Sequence, residues 1–427
     1  MHRLIVFAAA LTLAAGALLA YALNHSELPP RAALPRPSFP PELVTRGEKL
    51  ASLGACAACH TRPGGAPYAG GAALHTPFGV IYATNITPEA ETGIGLWSEE
   101  AFVRAMREGV DRKGRMLYPA FPYDHYTKAT DGDLRALYAY FTTRKPVREE
   151  AKPNDLRFPF NIRPLLAGWN LLFLDKGPFR PNPDKSEKWN EGAYYVEGLG
   201  HCGACHSPRN ALGAVRSNAR LAGGDVDGWH APGIGPHARA PATWTKDSLM
   251  NYLIDGWDAR HGVAAGPMTP VVDHLARLDE SMVEAIVEYL IDTQPEVAQA
   301  ESEKAIEFAL SREYSGGAAA GAPGSGESRG EEIFARACAN CHKRGGQTTP
   351  LALGASMNAP HPGNVISIVM NGIKPPSGAP EKSMPRFAQS LSDEQIADLV
   401  TYMRARFTQK APWTDTAQRV REMRAAR

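Results

Sequence analysis

The chain has no cysteine to spare. All six cysteines fall within three C-x-x-C-H motifs, so no thiol is left over for a disulfide. It also lacks a net field: 46 Lys+Arg against 45 Asp+Glu leave a formal charge of +1, which gives no long-range pull on nucleic acid or an acidic polymer. A charged fraction of 21% carries no signature of bulk disorder. Beyond Leu23 no apolar run approaches the roughly 20 residues needed to span a bilayer. No βαβ pattern surrounds the C-x-x-C pairs, which argues against thioredoxin-like chemistry. No second Cys or His pair follows them at finger-like spacing, which argues against zinc.

What is present begins with the N-terminus. From Leu4 to Leu23 the sequence is uncharged and apolar, long enough as a helix to cross the hydrocarbon core. It reads as an export segment, either a retained anchor or a signal removed at the small-residue pattern Ala20-Tyr21-Ala22. In both cases the chain after Pro29 is expected on the outer face of a membrane, where unused thiols would oxidise. The length of 427 residues suits two to four domains, and the 40 Gly and 35 Pro point to loop-rich ones with modest helices.

The motifs are Cys56-Ala57-Ala58-Cys59-His60, Cys202-Gly203-Ala204-Cys205-His206 and Cys338-Ala339-Asn340-Cys341-His342. Two thiols on one helical turn can add to the two vinyl groups of a porphyrin, and the adjacent imidazole reaches the iron. Three such motifs imply three covalently attached haem c groups, with Cys56, Cys59, Cys202, Cys205, Cys338 and Cys341 as attachment points. His60, His206 and His342 are the proximal iron ligands.

The motifs recur at roughly a domain's length, so the fold class expected is mainly α, with three tandem cytochrome c-type domains and loop-rich haem pockets behind the export segment. Each begins with a Gly-led helix (Gly47, Gly192, Gly330) and closes with an amphipathic helix entered through an acidic turn. The closing helices are expected over Asp131–Thr142, Asp279–Asp292 and Ser392–Phe407. Domain boundaries are expected at 41–147, 188–296 and 329–411. Residues 148–187, rich in Pro and aromatics, read as an ordered connector; 297–328 as a helix and flexible linker; 412–427 as a basic, solvated tail.

The sixth ligands separate a wire from a catalyst, because Met or His closes an iron while an open face admits O₂ or peroxide. Met268 in Gly266-Pro267-Met268 and Met384 in Met384-Pro385 stand shortly before their closing helices. In the first domain the matching position is Phe121, which cannot ligate. Met116 is the nearest soft ligand and His125 the nearest imidazole; an open first haem is the third possibility. Met106 reads as core. His75, His230, His237, His261 and His361 read as solvated or propionate-bonded rather than metal-bound. Trp97, Trp229 and Trp244 are candidate haem-edge residues.

Together with Asn85-Ile86-Thr87-Pro88, Thr92-Gly93-Ile94-Gly95, Tyr118-Pro119-Ala120-Phe121-Pro122-Tyr123 and Gly266-Pro267-Met268, the three motifs resemble the triple-haem cytochrome c subunits of membrane-bound periplasmic dehydrogenases. The resemblance covers nearly all of the chain after Pro41. Many members carry Met where Phe121 stands. The form Ala120-Phe121-Pro122-Tyr123-Asp124-His125-Tyr126 is similar to the branch paired with molybdenum hydroxylases, such as nicotinate and isoquinoline or aldehyde oxidoreductases. The resemblance implies a catalytic partner carrying molybdenum and iron–sulfur centres, electron delivery to ubiquinone or a terminal oxidase, and a place on the periplasmic side of the bacterial cytoplasmic membrane. Electron transfer is the function expected. The alternative is a haem enzyme using an open first haem, for which the sequence offers no paired acid and base.

Overall fold

The computed structural model describes residues 26–32, 37–236, 238, 240–295, 299–315, 326–346 and 348–425, with positions 6 and 16. Apart from positions 6 and 16, the expected export segment lies outside the described residues, as does most of the flexible linker. Among the described residues no helix is long and apolar enough to cross a membrane. The chain packs as two compact units: Met1–Ala204 with Arg209–Ala214, and Cys205–Pro208 with Val215–Arg427.

The first unit is built on two crossing helices, α1 (Pro41–Leu53) and, later in the chain, α5 (Asp131–Thr143). Between them come the motif helix α2 (Cys56–His60), the strands β1 (Ala73–Thr76) and β2 (Gly79–Tyr82), and helices α3 (Glu99–Glu108) and α4 (Tyr123–Tyr126). Gly47 sets the crossing. A Cβ there would lie 2.0 Å from the Ala136 carbonyl oxygen, so only glycine lets the backbones meet. Thr130 caps α5 by accepting from the Asp133 amide at 3.2 Å, satisfying a donor the helix start leaves free. Asp133 in turn accepts from Arg46 Nε and Tyr194 Oη, each at 2.6 Å, which ties α5 to α1 and to α7 (Glu187–Glu197).

The aromatic-rich segment 148–187 carries elements of its own. Strand β3 (Asp155–Leu156) joins the edge of β2 in the order β1-β2-β3, and α6 (Leu166–Phe173) carries Trp169. Trp169 packs edge-on to Tyr123 at 5.9 Å, and its indole N–H donates to the Leu212 carbonyl at 3.0 Å.

The one-turn helix α8 (Gly203–His206) carries the second motif. The second unit then runs through the hairpin β4 (Gly224–Val226) and β5 (Trp229–Ala231), helix α9 (Lys246–Asp255), the hairpin β6 (Trp257–Asp258) and β7 (Gly262–Val263), and helices α10 (Met268–Leu275) and α11 (Glu280–Thr293). Helices α12 (Gln299–Arg312), α13 (Gly326–Ala337), α14 (Ala355–Asn358), α15 (Gly363–Asn371), α16 (Asp393–Phe407) and α17 (Thr416–Ala425) follow. Helices α13 and α16 repeat the crossing of α1 and α5. A Cβ on Gly330 would lie 2.3 Å from the Asp398 carbonyl oxygen, and beside it Phe334 is fully buried between Tyr402 and Phe407. Ser392 and Gln395 form a reciprocal capping box at the start of α16.

The basic tail is docked, whereas its composition alone suggests a solvated end. Val420 is fully buried, the Trp413 indole donates to the Ala359 carbonyl at 3.1 Å, and Arg424 pairs with Asp393 while donating to the Ala388 carbonyl at 2.6 Å. The guanidinium satisfies groups at the start of α16, which a bare composition of arginines does not reveal.

Candidate haem-binding sites

No disulfide joins any of the six cysteines, and each motif occupies a turn rather than a strand. Burial pushes the Cys56 thiol up to about 12 and the Cys338 thiol up to about 11. Tyr126 faces Cys56 and Cys59, and burial raises its phenol well above the usual value.

Two of the three motif histidines share one arrangement. His60 Nδ1 faces the Thr84 carbonyl oxygen at 2.6 Å, and His206 Nδ1 faces the Pro232 carbonyl oxygen at 2.7 Å. A carbonyl can only accept, so in each ring Nδ1 carries the proton and Nε2 keeps its lone pair. His342 Nδ1 lies 3.4 Å from Thr348 Oγ1, a hydroxyl that also lies 3.1 Å from the Cys341 carbonyl oxygen, and this contact does not fix the tautomer. Burial holds all three imidazoles below their ordinary value, which favours the neutral form that binds a metal. Two thiols on one turn beside an imidazole with Nε2 available is the donor set that covalently bound haem requires. The residues present therefore fit the cofactor.

The methionines sit in related positions. In the first unit α3 ends at the left-handed Gly109, Val110 bridges Met116 in antiparallel fashion, and the Leu117 amide donates to the Gly109 carbonyl at 2.6 Å. In the second unit α15 ends at the positive-φ Gly372, and Ile373 bridges Met384 with bonds of 2.9 and 3.1 Å. Met116 and Met384 thus occupy the same place relative to the preceding helix. After α9 and the left-handed Gly256, the residue in that place is Val263, opposite Trp257. Met268 lies five positions further on, at the head of α10, in the place that Phe121 takes in the first unit. Trp229 packs over Gly266, where a Cβ would lie 2.5 Å from its ring.

Met116 is 3% exposed and packs with Val110, Ala167 and Leu166. His125 is buried on α4, and its Nδ1 faces the Glu197 carbonyl at 3.0 Å. Met106 lies in the core, as expected. Trp244 stacks on His261 at 3.4 Å, and Trp97 offers its carbonyl to Tyr138 and Arg31. His237 lies outside the described residues. The carbonyls of Thr84 and Pro232 are functional groups that sequence reasoning missed, since a backbone acceptor has no residue-type signal.

The chain is similar to known proteins over most of its length. Residues 326–403 match the family model described as cytochrome c oxidase, cbb3-type, subunit III. The chain is 37% identical over 406 residues to the gluconate 2-dehydrogenase cytochrome c subunit of Pantoea cypripedii, covering 90% of this chain and 89% of that one. It belongs to the cytochrome c subunits of membrane-bound dehydrogenases. A further member, the cytochrome c subunit of the quinone alcohol dehydrogenase of Gluconobacter oxydans, is 34% identical over 403 residues, 90% of this chain and 82% of that one. A component of the nicotinate dehydrogenase of Pseudomonas putida is 45% identical over 398 residues, 91% of this chain. The chain spans about a third of the length of that protein, 32%. Membership makes this a c-type haem protein of electron transfer.

Proposed function

We propose that the chain carries three covalently attached haem c groups and relays electrons from the catalytic subunit of a periplasmic dehydrogenase to ubiquinone or a terminal oxidase. The observation that carries this reading is the shared orientation of His60 and His206, each with Nδ1 occupied by a backbone acceptor and Nε2 left for iron. Haem, when bound, supplies reversible one-electron chemistry. The chain's own residues do the rest. The cysteine pairs hold the porphyrins, the carbonyls of Thr84 and Pro232 fix the proximal rings, and Met116, Met268 and Met384 close the distal faces.

Met116 is assigned to the first haem because it occupies the place of Met384 after a helix-ending glycine. Phe121, in the place of Met268, then packs against Tyr126, with ring centroids 5.2 Å apart. The catalytic partner is proposed to be of the molybdenum hydroxylase type with iron–sulfur centres, supported by the similarity to the nicotinate dehydrogenase component. The protein is placed on the periplasmic side of the cytoplasmic membrane. Purification from membranes followed by mass spectrometry tests the partner: a co-purifying molybdenum hydroxylase supports it, and recovery of a different dehydrogenase class refutes it.

A further inference from the structure

Away from the motifs, three side chains converge on one point. Asp225 and His230 are directly opposed across the β4–β5 hairpin, so their side chains project from the same face of the pair. The hairpin turns through Asp227 and Gly228, both at positive φ (49° and 78°), the geometry an Asp-Gly turn favours. His230 Nδ1 lies 2.8 Å from Asp225 Oδ1, and His361 Nε2 lies 2.9 Å from the same oxygen. The ligand atoms of all three residues fall within 4.8 Å of one another.

We infer that Asp225, His230 and His361 form a binding site for a divalent transition cation of the zinc class. Two imidazole nitrogens and one carboxylate oxygen are a donor set of borderline softness that suits such an ion. The site is preformed by contacts that do not involve the donors. Asn364 at the start of α15 accepts from the His230 amide at 2.7 Å and donates to the His230 carbonyl at 2.9 Å. Gly363 packs so tightly on the hairpin that a Cβ there would lie 2.8 Å from the Gly228 carbonyl oxygen. His361 is therefore held over the hairpin by its neighbours rather than by its own contact with Asp225.

The dimensions are close to those an ion requires. Zinc bonds of about 2.0–2.2 Å place neighbouring tetrahedral ligands roughly 3.3 Å apart, so the two His–Asp contacts open by about half an ångström on binding. The long contact from the Gly363 amide to His361 Nδ1, at 3.4 Å, is given up as that nitrogen takes the proton. Asp225 is 65% exposed at its side chain, which leaves room for water or an outside ligand to complete the coordination. An ion here would pin the hairpin to α15. Pro232, whose carbonyl orients His206, follows β5 directly, so the ion would brace the proximal side of the second haem.

The test is calorimetric titration of the purified, haem-loaded full chain with zinc chloride at neutral pH, after dialysis against a chelator. Wild type is expected to bind one equivalent. Asp225→Asn and His361→Gln, each with unchanged haem absorption, are expected to weaken that event by roughly tenfold or more. Absence of a stoichiometric event in wild type, or binding that survives undiminished in either variant, overturns the assignment.

Discussion

The imidazole of His60 donates from Nδ1 to the carbonyl oxygen of Thr84 at 2.6 Å. That single contact fixes which nitrogen is free and which way the ring faces, and His206 repeats it with Pro232. Because both acceptors are backbone atoms just past a β-hairpin, the orientation is written into the segment that leaves the hairpin after each motif. Replacing both cysteines of one motif by alanine is expected to lower covalent haem from three per chain to two, as read by the pyridine haemochrome assay. A loss of all three would mean that the sites do not form independently.

Met268→Ala and Met384→Ala are each expected to open one iron, shift its reduction potential downward and make it bind carbon monoxide, with all haems still attached. Met116→Ala is expected to do the same at the first haem. Redox titration of the three variants checks this, and unchanged potentials in all of them would refute the distal ligand set.

Gly330→Ala places a methyl against the Asp398 carbonyl at the crossing of α13 and α16. Overpacking at such a contact costs about 1–3 kcal/mol. A lower urea midpoint is expected for Gly330→Ala; an unchanged midpoint would show that the helices can part freely.

His201 sets an acid limit. Burial holds its imidazole below the ordinary 6.5, at about 4. Between those values the unfolded chain binds the proton and the folded chain does not, so stability falls as pH drops from 6.5 toward 4. His201 adopts φ 40°, a left-handed conformation that asparagine tolerates. His201→Asn is expected to flatten this acid limb in denaturation curves taken across the window, and an identical slope would reject the assignment.

Much of this was legible in the residues. Three C-x-x-C-H motifs announce their chemistry through side-chain type, and the acidic turns before Leu134, Met282 and Ile396 mark closing helices that the structure places at Asp131–Thr143, Glu280–Thr293 and Asp393–Phe407. Gly47 and Gly330 were visible as helix residues but not as contact points, because the partner backbones lie far along the chain. The equivalence of Met116 and Met384 was hidden, since loops of different length separate each from its bridging residue; counting back from the closing helix selects Phe121 instead. His230 and His361 read as solvated loop residues. Their meeting at Asp225 depends on a hairpin register and on a helix start more than a hundred positions away, which no local pattern encodes.

The most direct measurement is haem c per chain in protein purified from membranes, with the reduced absorption spectrum recorded before and after carbon monoxide. Three haems per chain that all ignore carbon monoxide are expected from three methionine-closed irons. Fewer than three haems, or any haem that binds the gas in the wild-type protein, would contradict the proposed relay.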